Sequence, residues 1–234
     1  PMGLFPLTQE PLRVFEPRYK QMLDDCVLGD SVFGYVSTLM PPDVVGGWAM
    51  PSEYGVLSTA DDLTEQGTNL LFTASGEIRF RITKVIPAAL PARDFGEIFP
   101  TVDELVEGYV EDDPGGKLYL RAEIEELPAL SGVVSSDRWN VLVRQWSEHI
   151  VGIDALVRAS GMGLEEVLPV MEGEFLPYTE SGLWSACQSI LDDHDDRQAA
   201  LSSESADAVM DVIERALEAK KAQMDVIRFM MESE

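Results

Sequence analysis

The chain changes its period near residue 130, and this change limits the possible folds more than any other feature. Twelve of its fourteen prolines lie at or before Pro128, and only Pro169 and Pro177 follow. Proline lacks an amide donor and clashes with the preceding helical turn, so the first stretch reads as short strands between turns. Beyond it, apolar residues recur every three or four positions, the spacing of one helix face. The reading is an α+β chain, with a β-rich part over 1–129 and a helical part over 137–234.

The first part opens with a strand, then a helix over 16–28, with Pro17 at its first position and Gly29 ending it. Strands are expected at Phe33–Ser37, Tyr54–Thr59, Asn69–Thr73, Ile78–Val85 and Tyr119–Leu127. Residues 78–85 alternate strictly, so Arg79 and Arg81 are expected on the solvent face, opposite Ile78, Phe80 and Ile82. Residues 40–51 read as an exposed loop. Six or seven such strands suggest a small barrel or folded sheet. In the second part, Trp139, Leu142, Trp146, Ile150, Ile153 and Val157 share a face, with Asp137 as cap. A short helix follows near 163–172. Thr179 or Ser181 caps the next, and Ser203 or Ser205 starts a long last helix.

Composition bears on partners. Of 234 residues 45% are apolar and 25% charged, as in ordinary globular chains, but 42 acidic against 17 basic residues give −25. That sign repels phosphate backbones and anionic lipid, so neither nucleic acid nor membrane is expected as a partner. It suits a highly soluble surface or a saline habitat. Cys26 and Cys187 are too few for a disulfide framework and read as core thiols, so a cytoplasmic or other reducing compartment is expected.

No catalytic constellation emerges. His194 stands among Asp192, Asp193, Asp195 and Asp196, but adjacent residues of one acidic run diverge, so a solvated turn is expected and not a metal site. His149 has no nucleophile with a recognisable signature beside it. Gly115-Gly116-Lys117 lacks the spacing of a phosphate loop, and Gly161-Met162-Gly163 follows no strand. No metal and no cofactor are expected.

Three segments are more specific. Pro11-Leu12-Arg13-Val14-Phe15-Glu16-Pro17-Arg18-Tyr19 is followed by Met22-Leu23 and Phe33-Gly34; then come Glu77-Ile78-Arg79-Phe80-Arg81-Ile82 and Tyr119-Leu120-Arg121-Ala122-Glu123-Ile124-Glu125-Glu126-Leu127-Pro128. In this order they resemble the signatures of the amino-terminal, substrate-recognition domain of Lon proteases over about residues 4–128. Arg197-Gln198-Ala199-Ala200-Leu201 resembles a later stretch of that domain. No ATPase or Ser–Lys peptidase signature accompanies them, and the family's first strand is not seen. The resemblance implies a stand-alone Lon-type domain, a PUA-like pseudo-β-barrel followed by a helical bundle with a long last helix. It implies binding rather than proteolysis.

Phe15, Glu16, Pro17, Arg18, Tyr19, Arg79 and Phe80 are expected to be structural: Phe15 and Tyr19 join strand to helix, and Arg18 pairs with Glu16 or Glu77. The expected substrate-binding residues are Met40, Val44, Val45, Trp48 and Met50, because Met-rich mobile surfaces adapt to varied partners; the same loop could instead fold back as a lid. The functional expectation is a non-enzymatic protein that holds unfolded or flexible polypeptide or acts as an adaptor. The alternatives are a hydrolase or small-molecule enzyme using a barrel–bundle cleft, and an RNA-binding PUA-like module.

Overall fold

The computed structural model describes residues 3–29, 32–39, 44–92, 99–153 and 161–232. The chain divides into two compact units, Pro1–Pro128 and Ala129–Glu234. In the first, the described residues form strands β1 (Gln9–Val14), β2 (Val32–Tyr35), β3 (Val44–Val45), β4 (Trp48–Ala49), β5 (Tyr54–Gln66), β6 (Asn69–Ile86) and β7 (Arg121–Glu126), with helices α1 (Pro17–Leu28) and α2 (Val102–Glu107).

Strands β3 and β4 form a separate two-stranded sheet, and the five-stranded sheet of this unit is built around β6. The sequence reads as two strands there, with Gly76 between them; the structure has one strand of 18 residues. Its partner β5 runs antiparallel along it, while its other edge is shared, Leu70–Ser75 pairing with β1 and Phe80–Ile86 with β7. The sheet order is β1-β6-β5-β2, with β7 also on β6. Gly76 is the crossing point. Its amide donates to the Thr8 carbonyl at 2.9 Å and its carbonyl accepts from the Leu7 amide at 2.8 Å. A Cβ at position 76 would lie 2.1 Å from the Phe5 carbonyl oxygen, so only glycine lets the chain approach this closely.

A bulge at the same place changes which side chains are covered. Leu57 pairs with Ile78 but Ser58 pairs with Gly76, so Glu77 is an extra residue on β6. Ile78 is 41% exposed and Arg79 only 4%. This corrects the expected alternation: Arg79 is covered by the chain leaving β7, where its Nη2 donates to the Pro128 carbonyl at 2.6 Å and its own carbonyl accepts from the Leu127 amide. Arg81 and Lys84 remain on the exposed face, paired with Glu53 at 2.8 Å and Glu123 at 2.5 Å.

The main core joins α1 to the sheet through Leu4, Val14, Leu23, Cys26, Phe33 and Phe72. A smaller cluster, Leu105, Tyr109 and Leu118, packs with Leu90 and Val102. Helix α2 was not expected from the sequence, although its signal is local: Thr101 and Glu104 form a reciprocal capping box, with the Thr101 amide donating to Glu104 at 2.8 Å.

The described residues of the second unit form α3 (Ser136–Ile153), α4 (Leu164–Phe175), α5 (Glu180–Ile190), α6 (His194–Ser202) and the long α7 (Ala206–Glu232). Trp139, Leu142, Leu183, Trp184, Cys187, Ile190, Val209 and Ile213 are buried, as their spacing predicts. Val157 and the expected end of its helix lie outside the described residues. Ser135, not Asp137, caps α3, its Oγ accepting from the Arg138 amide at 3.3 Å. Thr179 caps α5 and Ser205 caps α7. Trp139 Nε1 donates to the Phe175 carbonyl at 2.7 Å, tying α3 to the end of α4. The structure is thus an α+β mix of an antiparallel sheet and helices.

Candidate functional site

The expected contact loop is a hairpin. Val44 and Val45 pair with Ala49 and Trp48 across Gly46-Gly47, whose φ angles of 58° and 81° suit a two-residue turn. Gly-Gly between two apolar pairs was the sequence signal for it. The neck closes through the Leu39 amide on the Met50 carbonyl and the Ser52 amide on the Ser37 carbonyl, at 3.0 and 2.8 Å.

The hairpin does not stand free. The Ala92 amide donates to the Gly46 carbonyl at 2.9 Å, and Trp48 Nε1 donates to the Leu90 carbonyl at 3.1 Å. Of the five expected contact residues, Val44 is exposed at 62%, Val45, Trp48 and Met50 are half-buried, and Met40 lies outside the described residues. The expectation of an exposed loop is corrected accordingly: the indole ring is partly covered because its N–H needs a partner and finds the Leu90 carbonyl.

Trp48 meets the first motif. The Arg18 guanidinium lies 4.1 Å from the Trp48 ring centroid and 4.3 Å from that of Tyr19. Its Nε donates to Glu16 Oε2 at 2.8 Å, so Glu16, and not Glu77, is its carboxylate. Pro17 begins α1 and is buried, with Glu16 in the extended conformation before it. Burial raises the Tyr19 hydroxyl above its ordinary pKa, against the opposing pull of Arg18. Phe80 is buried. Phe15 departs from its expected anchoring role: it is 47% exposed and meets Phe99 edge-on, 5.8 Å between centroids.

Arg18 and Trp48 line two adjoining grooves. One, of about 220 Å³, is bordered by Phe15, Leu90, Pro91 and Phe99. The other, of about 560 Å³, runs past Met22, Phe33, Phe80, Ile82 and Ile124. The sequence reading names Trp48 as a contact residue and Arg18 as a structural one, and most of both linings come from segments far apart in the chain. Arg121 borders the larger groove, and its Nε is buried with no hydrogen-bond partner among the described residues.

Other titratable groups assemble differently. Asp193 caps α6, accepting from the Asp195 and Asp196 amides at 2.8 and 3.3 Å, so the acidic run around His194 is a helix start. Among the described residues no group of three or more His, Cys, Asp or Glu side chains converges as a metal site would. His149 borders a cavity of about 290 Å³ beside α7 with Glu148, Glu218 and Lys221. Burial and then the Lys220 charge lower its pKa. Burial pushes the Cys187 thiol well up, which makes it a poor nucleophile. No described helix is long and apolar enough to cross a membrane.

No protein-family model and no curated protein matches this chain. Among solved structures, the N-terminal domain of Mycobacterium avium complex Lon protease matches with a TM-score of 0.53 at 13% identity, covering 93% of both chains. A Lon N-terminal domain protein from Xanthomonas campestris matches with a TM-score of 0.45 at 19% identity, over 94% of this chain and 92% of that one. With the first likeness spanning sheet and helices alike, this chain has the fold of a Lon protease N-terminal domain.

Proposed function

We propose that this protein holds flexible or unfolded polypeptide, as a non-enzymatic binding protein or adaptor, through the two grooves that meet at Trp48. The observation that carries this reading is their common wall: two apolar depressions share one aromatic residue stacked on one arginine. Aromatic and arginine side chains in partly desolvated pockets are the usual anchors of protein interfaces. The likeness in fold to a Lon N-terminal domain and the three motifs shared with that family support it. The charge of −25 supports it too, since long-range attraction for nucleic acid or anionic lipid is missing and apolar burial is the remaining broad driving force.

The test is a titration of a reduced, unfolded model client against wild type and Trp48→Ala. The variant should bind at least about tenfold more weakly, ~1.4 kcal/mol. Equal affinities would remove the hairpin from the site, and no binding by wild type would remove the function. Purified protein should leave ATP and casein intact.

A further inference from the structure

The larger groove lies between two sheet edges. Its lining includes Val32, Phe33 and Gly34 of β2 and Arg121, Ala122 and Ile124 of β7. In the sheet path β7-β6-β5-β2 these strands are the ends, and among the described residues neither has a second strand neighbour. The floor is apolar, with Leu57, Phe80 and Ile82 from the strands between them. The groove is therefore the gap of an unclosed barrel. At about 560 Å³ it falls within the range of ligand sites, ~300–1,000 Å³.

Sheet edges carry backbone donors and acceptors that another extended chain completes. Arg121 adds a charge requirement. An arginine keeps its charge at any physiological pH, and a buried N–H without an acceptor is unfavourable. Among the described residues Arg121 Nε is in that condition. Asp25, which like Arg121 acts on the Tyr119 hydroxyl, is already engaged by Lys117 and by that hydroxyl, each at 2.8 Å. Arg121 itself borders the groove, and the strongest partner its guanidinium could meet there is a carboxylate.

We propose that the client segment lies in this gap as an added strand between β2 and β7, with alternate apolar side chains on the floor and one Asp or Glu side chain on Arg121. This rests on the polypeptide-holding reading and names the class of segment preferred: extended, alternating, apolar on one side, with a single internal acid. The −25 surface disfavours strongly acidic segments, so one acid satisfies the site and several do not.

The experiment uses fluorescein-labelled nine-residue peptides of alternating valine and threonine, blocked at both ends, with a central Glu or its Gln isostere. Anisotropy on the full chain should show the Glu peptide binding about tenfold tighter. Arg121→Gln should remove that difference, and Arg121→Lys should restore part of it. Methylating alternate backbone amides of the Glu peptide should abolish binding. Equal affinity of wild type for the Glu and Gln peptides overturns the carboxylate assignment without needing a folded variant. Unimpaired binding by the methylated peptides overturns the added strand. A wild type that captures unfolded client but neither peptide overturns this inference alone; one that captures none of them overturns the function beneath it.

Discussion

The Arg18 guanidinium stacks on the Trp48 ring at 4.1 Å, joining a motif that starts a helix to a hairpin thirty positions later. The arginine is held by Glu16 at 2.8 Å, with the two side chains 22% and 28% exposed, so the pair is partly shielded from water. Stacking on a shielded ring contributes about 0.5–2 kcal/mol. A double-mutant cycle of Arg18→Gln and Trp48→Ala in urea should therefore give a coupling of about 1 kcal/mol. Arg18→Lys should keep part of the coupling that Arg18→Gln loses, since an ammonium retains the charge–ring attraction but lacks the planar stack. Additive losses would show that the contact contributes nothing.

Gly76 should tolerate no side chain. Its hypothetical Cβ sits 2.1 Å from backbone, at a site that cannot rotate away. Gly76→Ala should destabilise the protein by ~3 kcal/mol, the upper end of ordinary overpacking. Gly115→Ala is the control, because nothing lies within 4 Å of a Cβ there. Similar urea midpoints for the two variants would count against the crossing geometry.

Tyr119 should give the protein an alkaline sensitivity. Burial, then its hydrogen bond to Asp25, hold the hydroxyl pKa above the ordinary value of 10.0. The folded state keeps the proton longer than the unfolded chain, so stability is intact below pH 10 and falls as pH rises past it. Melting temperatures across pH 8–11 should fall more steeply for wild type than for Tyr119→Phe. Tyr119→Phe should also start lower at pH 8, by about 1 kcal/mol for the lost bond. Parallel pH profiles would refute the assignment.

Arg138 fastens α3 to α7. It reaches Glu214 with two donors at 2.9 and 2.7 Å, Asp207 at 3.1 Å, and Asp211. Forked pairing with Glu214 and half-shielded geometry place its contribution at about 1–2 kcal/mol. Arg138→Met removes that and leaves three carboxylates facing one another along α7. Added salt screens such repulsion, so 1 M sodium chloride should raise the melting temperature of Arg138→Met more than that of wild type. An equal salt response would show that the carboxylates do not interact.

The parts of this structure legible in the sequence are those held by neighbours along the chain. Pro17, Thr179 and Ser205 marked helix starts, because caps and turns are satisfied within three or four residues. The Thr101–Glu104 box and the Gly46-Gly47 turn were equally local, present in the sequence and unread. The burial of Arg79 was not legible, since it follows from a bulge opposite Leu57 and Ser58 and from the later chain around Pro128. Trp48 and Arg18 could each be named from sequence, but their stack depends on the hairpin donating to the Leu90 carbonyl and accepting from the Ala92 amide. The grooves belong wholly to tertiary structure, because strand register and distant segments decide which side chains share a wall, and no local period encodes either.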